Sequence, residues 1–348
     1  MLKEGLRRGP SITRRIRRED YMTTFNRRTL LVGTAAAALA APSLVRAQGA
    51  ADWPKGALRI IVPFPPGGST DPVARIIQAK MIENTGWNIL IDNKPGGTGA
   101  VGSAIAAKAP PDGQTWMLTF DSHILNPAFA SGLPYKDSEL LNVMLIGRTP
   151  QAICAHPDRP YKTFAEVIAD AKARPGKVNV GVLGASQALV LMSLIKKENG
   201  VDLNLIPYKG GGPLNQDILA GVTDVAIGSL TSFSPHIRAN KVRALAVTGE
   251  KRTPALPDTS TLIEQGVKAF PSYSWWGVYA PTGTPRPLVD RMHAEIKKAV
   301  LAPDVTKKFV EQFNMEILTT SPEEFAAYQK SEQERWFKVI KDNDIKGD

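Results

Sequence analysis

The most constraining feature of this sequence is a repeated alternation of short apolar runs with segments of helical periodicity. LRIIV (58–62) precedes VARIIQAKMIENTG, and WNILIDN precedes GAVGSAIAAKA. A second series of the same kind follows Pro150, from FAEVIADAKARPG and KVNVGVLG to VRALAVT. Apolar runs rich in β-branched residues are typical of buried strands, and a period near 3.6 is typical of helices. The alternation predicts an α/β protein with mostly parallel sheets flanked by helices.

Two long extended segments interrupt this alternation. They are LLNVMLIGRTPQAICAHP (140–157) and SYSWWGVYAPTGTP (272–285). Because roughly 300 residues exceed a comfortable single core, we expect two lobes. The extended segments are predicted to be two strands that cross between a first lobe, 48–150 plus 273–348, and a second lobe, 151–272. A cleft between such lobes permits closure around a ligand.

The N-terminal segment has the sequence pattern of an export signal. Residues 25–47, FNRRTLLVGTAAAALAAPSLVRA, combine paired arginines, an apolar stretch and a small-residue end. This pattern predicts a twin-arginine signal over residues 1–47, cleaved near Ala47, and a periplasmic location for the rest. The apolar stretch is shorter than the roughly 20 residues that span a bilayer. A translation start at Met22, after the arginine-rich segment that precedes the signal, is a simpler account than a start at Met1.

Composition excludes several function classes. Residues 1–47 hold ten of the 43 basic and three of the 33 acidic residues. The net charge is therefore +10 for the full chain and +3 for the mature chain. No basic block remains for nucleic-acid binding. Cys154 is a lone cysteine and the four histidines lack metal-ligand spacing, so we expect no disulfide and no metal. With no nucleophile elbow, zinc motif or nucleotide loop, we expect neither a cofactor nor enzyme activity.

Glycine-rich loops at strand-to-helix junctions are the candidate binding elements. In PFPPGGSTD (63–71), Gly67 and Gly68 permit close backbone approach, Ser69 or Thr70 can cap the next helix, and Asp71 can accept first-turn N–H bonds. Backbone donors of this kind suit a carboxylate. VGVLGASQ and IPYKGGG repeat this arrangement in the second lobe, and KPGGTGAVG repeats it in the first. Each loop is also compatible with an ordinary turn, so the loops alone leave both interpretations open.

A succession of segments across nearly all of the mature chain closely resembles the solute receptors of tripartite tricarboxylate transporters, also called Bug proteins. The resemblance implies a two-lobed periplasmic-binding-protein fold of type 2, the Venus flytrap. It also implies a monomeric receptor that delivers a small organic acid to a membrane permease. The segments are LRIIVPFPPGGSTDPVARIIQAKM, IDNKPGGTGAVGSAIAAKAPPDGQTWML, NPAFASGLPY, KTFAEVIADAKARPGKVNVGVLG, IPYKGGGPLNQDILAG, VRALAVTGEKRTPALPDTSTLIEQG and WWGVYAPTGTPRPLVDRMHAEI.

The resemblance also implies which residues bind the ligand carboxylate. Two facing loops are implied to hold it, and the loop after TWMLTF together with the end of VAIGS is implied to complete the wall. The implied ligand-binding residues are Phe64, Pro66, Gly67, Gly68, Ser69, Thr119, Asp121, Ser122, Gly184, Ser186, Gln187 and Ser229.

The second-lobe loop departs from the family pattern. Ala188, Leu189 and Val190 stand where polar groups are common. A less polar pocket favours an aromatic or monocarboxylic acid over a citrate-like ligand, within a predicted class of mono- and dicarboxylates. Two other functions stay open. One is a ligand-sensing subunit for a membrane signalling kinase, and the other is a periplasmic hydrolase.

Overall fold

The computed structural model describes residues 53–130 and 132–346. The predicted export signal and its cleavage near Ala47 lie outside these residues. Within the described part of the chain, no helix is both long and apolar enough to cross a membrane.

The described chain alternates strands and helices, as the sequence predicts. The strands are β1 Leu58–Val62, β2 Ile89–Asn93, β3 Thr115–Phe120, β4 Leu140–Ala155, β5 Val178–Leu183, β6 Leu203–Tyr208, β7 Val225–Ser229, β8 Arg243–Val247, β9 Tyr273–Pro281 and β10 Glu316–Ile317. The α-helices are α1 Thr70–Thr85, α2 Ala100–Ala107, α3 Asn126–Phe129, α4 Phe164–Ala173, α5 Gln187–Asn199, α6 Gly211–Leu219, α7 Leu230–Arg238, α8 Arg286–Val300, α9 Pro303–Lys307 and α10 Pro322–Asp342.

The strands form two halves of a mixed sheet in the order β2-β1-β3-β9-β4-β7-β5-β6, with β8 and β10 also paired to β4. In the first half, β1 is parallel to β2 and β3, and β9 is antiparallel to β3 and β4. In the second half, β5 is parallel to β6 and β7, and β4 is antiparallel to β7 and β8. This is the predicted two-lobed periplasmic-binding-protein fold.

Strand β4 is the element that physically joins the two halves. Its residues from Leu140 to Pro150 pair with β9, and those from Gln151 to Ala155 pair with β7. Strand β9 enters the first half at Tyr273, directly after Ser272 has donated its backbone N–H to the Thr248 carbonyl oxygen. The exact lobe boundaries given above stay a prediction.

The C-terminal helix completes the core of the first half. The buried side chains Phe325, Trp336 and Ile340 of α10 pack with Met117 of β3 and Tyr279 of β9. The chain therefore leaves the first lobe, builds the second and returns. A separate core in the second half is formed by residues of α4, β5, α5 and β7, among them Phe164, Val180, Leu191 and Ile227.

The join between β9 and α10 gives a direct test of this packing. A Cβ at Gly277 of β9 would overlap the ring of Phe325, so Gly277→Ala forces one of the two elements to move. We expect a loss of about 1–3 kcal/mol in the free energy of unfolding, measured by thermal or urea denaturation. Gly56→Ala is the control, because a Cβ at Gly56 meets nothing within 4 Å. Equal stability of the two variants would contradict this packing.

Candidate ligand-binding site

The loop after β1 is held in place by a polar brace from β2. Asn93 Nδ2 donates to the Phe64 carbonyl oxygen and to Asp71 Oδ1, both at 3.0 Å. Arg75 Nε donates to Asp71 Oδ2 at 2.9 Å. The carboxylate of Asp71 is therefore bonded to two side chains. The expectation that Asp71 accepts first-turn N–H bonds was wrong, because Asn93 and Arg75 are the stronger partners within reach.

The first turn of α1 has no side-chain cap. Ser69 occupies the N-cap position but makes no capping hydrogen bond, and Thr70 is the first helical residue, so the prediction that Ser69 or Thr70 caps this helix was also wrong. Ser186 and Ser229 do cap α5 and α7, since their Oγ atoms accept from the N–H groups of Leu189 and Ser232, each at 3.3 Å. An uncapped helix N-terminus leaves backbone N–H groups free to bind an anion.

The loop after β1 lies directly against the N-terminus of α6 in the other lobe. A Cβ built on Gly68 would be 3.4 Å from Gly211 Cα, and one built on Gly212 would be 2.5 Å from the Pro66 carbonyl oxygen. Asn215 Nδ2 donates to the Gly67 carbonyl oxygen at 3.2 Å. Helix α6 also has no side-chain cap. The glycines of IPYKGGG therefore allow two uncapped helix N-termini to meet across the cleft.

A small cavity lies beside this contact. It takes in four of the predicted site residues, Phe64, Gly68, Ser69 and Ser229, and is also lined by Phe120, Gly211 and Phe233. Its volume is about 20 Å³, which is room for roughly one water molecule. The cleft is closed here, so a ligand can enter only if the lobes separate.

The second-lobe glycine loop meets a different part of the first lobe. A Cβ at Gly184 would lie 3.4 Å from Oγ1 of Thr98, in the loop KPGGTGAVG. Gly96, Gly97 and Gly99 of that loop all have positive φ, so turn geometry explains them. On the first-lobe side of the cleft, Pro66 and Gly67 are exposed.

Three predicted site residues at the end of β3 are buried without well-formed hydrogen bonds to their side chains. Thr119, Asp121 and Ser122 are each 1% exposed. Thr119 Oγ1 and Ser122 Oγ have no hydrogen-bond partner, and the Asp121 carboxyl lies beside the Ser274 hydroxyl and the Trp275 backbone without a well-formed hydrogen bond. A buried polar group left unpaired costs about 1–3 kcal/mol, so this cluster calls for a functional reason.

Burial raises the pKa of Asp121 well above its usual value. The nearby carboxylate of Glu332 raises it further, while the Ser274 hydroxyl and the Trp275 backbone offset the shift only in part. Desolvation is the main cause, because a charged carboxylate is poorly solvated in the protein interior. Asp121 therefore favours its neutral, protonated form.

Gln187 is one of the predicted site residues that lie outside the cavity lining. Its buried amide contacts Ser272 Oγ at 3.2 Å, and it lies 3.3 Å from Glu332 Oε2. Gln151 Nε2 also donates to Ser272 Oγ. Gln187 thus belongs to a polar network where the strands cross and does not line the cavity. Its proposed ligand contact stays a prediction.

The apolar residues by which the second-lobe loop departs from the family pattern do not face the cleft. Ala188 and Leu189 pack in the core of the second half, and Val190 packs with the core of the first. The inference that these residues make the binding pocket less polar was wrong, because the start of α5 is buried between the two cores. They give no reason to prefer an aromatic acid.

Four residues that shape the site are absent from the implied ligand-binding residues, although two of them lie in the candidate loop IPYKGGG. Gly211, Gly212 and Asn215 form the second-lobe side of the contact, and Asn93 braces the first-lobe loop. The three consecutive glycines of IPYKGGG were a visible signal. Asn93 and Asn215 had none, because their partners are distant in sequence.

A serine–histidine pair lies in the first lobe, away from the cavity lining. Ser103 Oγ is 3.1 Å from His123 Nδ1, and both residues are buried. Burial lowers the pKa of His123 to about 4, although Asp137 opposes the shift. Tyr135 packs on the imidazole ring and its hydroxyl also contacts Nδ1 at 3.2 Å. This pair is part of the core and is closed to a substrate.

Comparison with known proteins settles the family. The model for the tripartite tricarboxylate transporter family receptor matches residues 73–345. The chain belongs to this receptor family. The UPF0065 protein of the tcbD–tcbE intergenic region of Pseudomonas sp. strain P51 is 37% identical over 322 residues, 92% of this chain and 95% of that protein. Protein BugT of Bordetella pertussis is 32% identical over 299 residues, 84% of this chain and 91% of that protein.

Solved structures agree with the receptor family. Rpa4515 of R. palustris with adipate superposes with a TM-score of 0.81 at 31% sequence identity, covering 85% of this chain and 99% of that chain. The periplasmic binding protein BugD superposes with a TM-score of 0.79 at 29% sequence identity, covering 84% of this chain and 99% of that chain.

Gly68→Val tests whether the cleft works through close backbone approach. The valine side chain would fill the space between the N-termini of α1 and α6, where even a Cβ built on Gly68 would lie 3.5 Å from the Gly211 nitrogen. We expect carboxylate binding to be lost in titration calorimetry while the far-ultraviolet circular dichroism spectrum stays native. Gly56→Val is the matched control. Wild-type affinity in Gly68→Val would rule out this binding mode.

Asp121→Asn should change how stability depends on pH. The folded-state pKa of Asp121 lies above the ordinary 3.8, so wild-type stability falls as pH rises above about 4, where the carboxyl group ionises in the unfolded chain but stays protonated in the folded protein. An asparagine cannot ionise. We therefore expect the Tm of the variant to rise relative to wild type between about pH 4 and pH 8. A constant difference in Tm over that range would show that Asp121 titrates normally.

Proposed function

We propose that this protein is a periplasmic receptor that binds a small organic carboxylate between its lobes and delivers it to a tripartite tricarboxylate-type membrane permease. The observation that carries the proposal is the meeting of two uncapped helix N-termini, those of α1 and α6, across a glycine-lined cleft. Backbone N–H groups at such termini attract an anion through both hydrogen bonds and the helix dipole.

Electrostatics around the cleft is consistent with this ligand class. Ser69 and Ser229 line the cavity. The carboxylate of Asp71, at the start of α1, is offset by Arg75, and that of Asp121 favours its neutral form. A ligand carboxylate that enters the cleft therefore meets hydrogen-bond donors, with little negative charge nearby to repel it.

We further propose that the receptor acts without catalysis, as a monomer with the lobe boundaries given above. The buried Ser103–His123 pair offers no accessible nucleophile. Among the described residues no group of histidine, cysteine, aspartate or glutamate side chains could hold a metal ion. Export through the predicted signal would place the receptor in the periplasm, where it meets its permease.

A thermal-shift screen tests the ligand class. The chain from Gln48 is mixed with aliphatic and aromatic mono-, di- and tricarboxylates, with sugars and amines as controls. A ligand at 100 times its Kd adds about 2.7 kcal/mol to the stability of the native state, which is a clear rise in Tm. Stabilisation by one acid class supports the proposal. Stabilisation by sugars or amines alone would contradict it.

A further inference from the structure

Helix α7 carries polar residues on two opposite sides. Ser232 and Phe233 line the cavity. Thr231, Ser234 and Arg238 lie three and then four residues apart, so they share one side of the helix, and 3.6 residues per turn place that side opposite the cavity. Thr231 and Ser234 are nevertheless buried. Another part of the chain must therefore cover this side of α7.

The covering segment is residues 311–314, and all three side chains bond to it. The hydrogen bonds run from Thr231 Oγ1 to the Phe313 carbonyl oxygen at 2.6 Å, from Asn314 Nδ2 to Ser234 Oγ at 2.6 Å, and from the Arg238 guanidinium to the Glu311 and Gln312 carbonyl oxygens at 3.2 and 3.0 Å. We call these four hydrogen bonds the α7 clasp.

The segment that α7 contacts belongs to the first half of the fold. Thr149 Oγ1 of β4 donates to the Asn314 carbonyl oxygen at 2.8 Å, and β10 then pairs with the part of β4 that pairs with β9. A single turn of π-helix, Lys308–Gln312, leads into the segment. The last carbonyl groups of a helical turn lack partners within it, and Arg238 provides them from the other lobe. Such π-turns are rare and often occur at functional sites.

Helix α7 is firmly attached to α6 in the second lobe. Phe233 packs in one core cluster with Leu214 of α6. Asn215 Nδ2 of α6 donates to Ser232 Oγ of α7 at 2.9 Å. The two helices therefore move together. Because the N-terminus of α6 forms the glycine contact with the loop after β1, α7 moves relative to the first lobe when that contact opens.

The α7 clasp is too extended to act as a pivot during this movement. Its hydrogen bonds are spread from Thr231 to Arg238, which is about 10 Å along the helix at 1.5 Å per residue. Rotation about one of these bonds pulls the others apart. Separation of the lobes therefore breaks the clasp.

We infer that the α7 clasp stabilises the closed form of the protein, and that Thr231, Ser234 and Arg238 are positioning residues that act on the cleft without contacting a ligand. The inference goes beyond the proposed function, because it concerns the equilibrium between the open and closed forms. A ligand that binds only the closed form has an apparent affinity proportional to the closed fraction. The clasp thus tunes ligand affinity from the side of α7 that faces away from the cavity.

Distances between the lobes of the ligand-free protein test the inference. Spin labels are attached through Lys108→Cys in the first lobe and Lys209→Cys in the second, since both positions are exposed. Cys154 is buried and stays unlabelled. Lys209 precedes Gly210, where a Cβ would lie 2.7 Å from Pro65 Cδ, so the labels move apart as the cleft opens. Double electron–electron resonance then gives the ratio of closed to open molecules.

The clasp variants should shift this ratio toward the open form. Thr231→Val leaves the Phe313 carbonyl oxygen unpaired only while the lobes are closed, so we expect the ratio to fall about fivefold. Thr231→Val combined with Arg238→Gln should lower it about tenfold or more.

Two matched controls lose the same kinds of hydrogen bond within a single lobe. Thr284 Oγ1 donates to the Pro281 carbonyl oxygen at 2.7 Å in the first lobe, and the exposed Arg243 donates to the Tyr161 carbonyl oxygen at 2.8 Å in the second. Thr284→Val and Arg243→Gln should lower the Tm but keep the closed-to-open ratio within about twofold of wild type.

Ligand affinity is a second readout, and it rests on the proposed function. The probes are succinate, adipate and benzoate, titrated by calorimetry. The clasp variants should bind any of these acids that wild type binds more weakly, by the same factor as their loss of closed fraction. The controls should keep wild-type affinity.

The outcomes separate the clasp from the proposed function. If the clasp variants keep the wild-type ratio, or if the controls shift it equally, the clasp has only a structural role and the inference is wrong. If wild type binds none of the acids while the clasp variants still shift the ratio, the choice of ligand class is wrong and the clasp stands.

Discussion

The direct approach of two backbone segments across the cleft is the constraint on which the site depends. The loop after β1 reaches the N-terminus of α6 because glycines stand on both sides, at Gly68 and at Gly211 and Gly212. Any side chain there would separate the lobes. Close approach brings two sets of unpaired N–H groups to one place, and an anion between them would satisfy both. Closure and ligand binding are thus two aspects of one contact.

The rest of the fold serves to hold these two segments in position. Asn93 and Asp71 brace the first-lobe loop, and Asn215 fixes the second-lobe helix to the Gly67 carbonyl oxygen. Strand β4 runs through both halves of the sheet and limits how the lobes can move. Ligand entry requires a movement that breaks the glycine contact but leaves the long strand intact, which is the behaviour of a hinge.

Much of the fold could be predicted from sequence because its elements are set by local patterns. LRIIV and the following helix, or the long extended segment that becomes β4, need only periodicity and length to be recognised. The site could be predicted only in part. Asp71 looked like a helix cap, yet Asn93, 22 residues away, is its partner. Ala188 to Val190 looked like pocket residues until the turn of α5 placed them in the cores. Contacts between distant segments have no local signature.

The central claim is that backbone N–H groups of α1 and α6 hold the ligand carboxylate. Nuclear magnetic resonance of the chain labelled with 15N-glycine tests it most directly, during titration with the carboxylate that stabilises the protein most. The account predicts that the amide signals of Gly68, Gly211 and Gly212 shift most, and that Gly56, outside the cleft, does not. Large shifts confined to glycines away from the cleft, with Gly68, Gly211 and Gly212 unchanged, would contradict it.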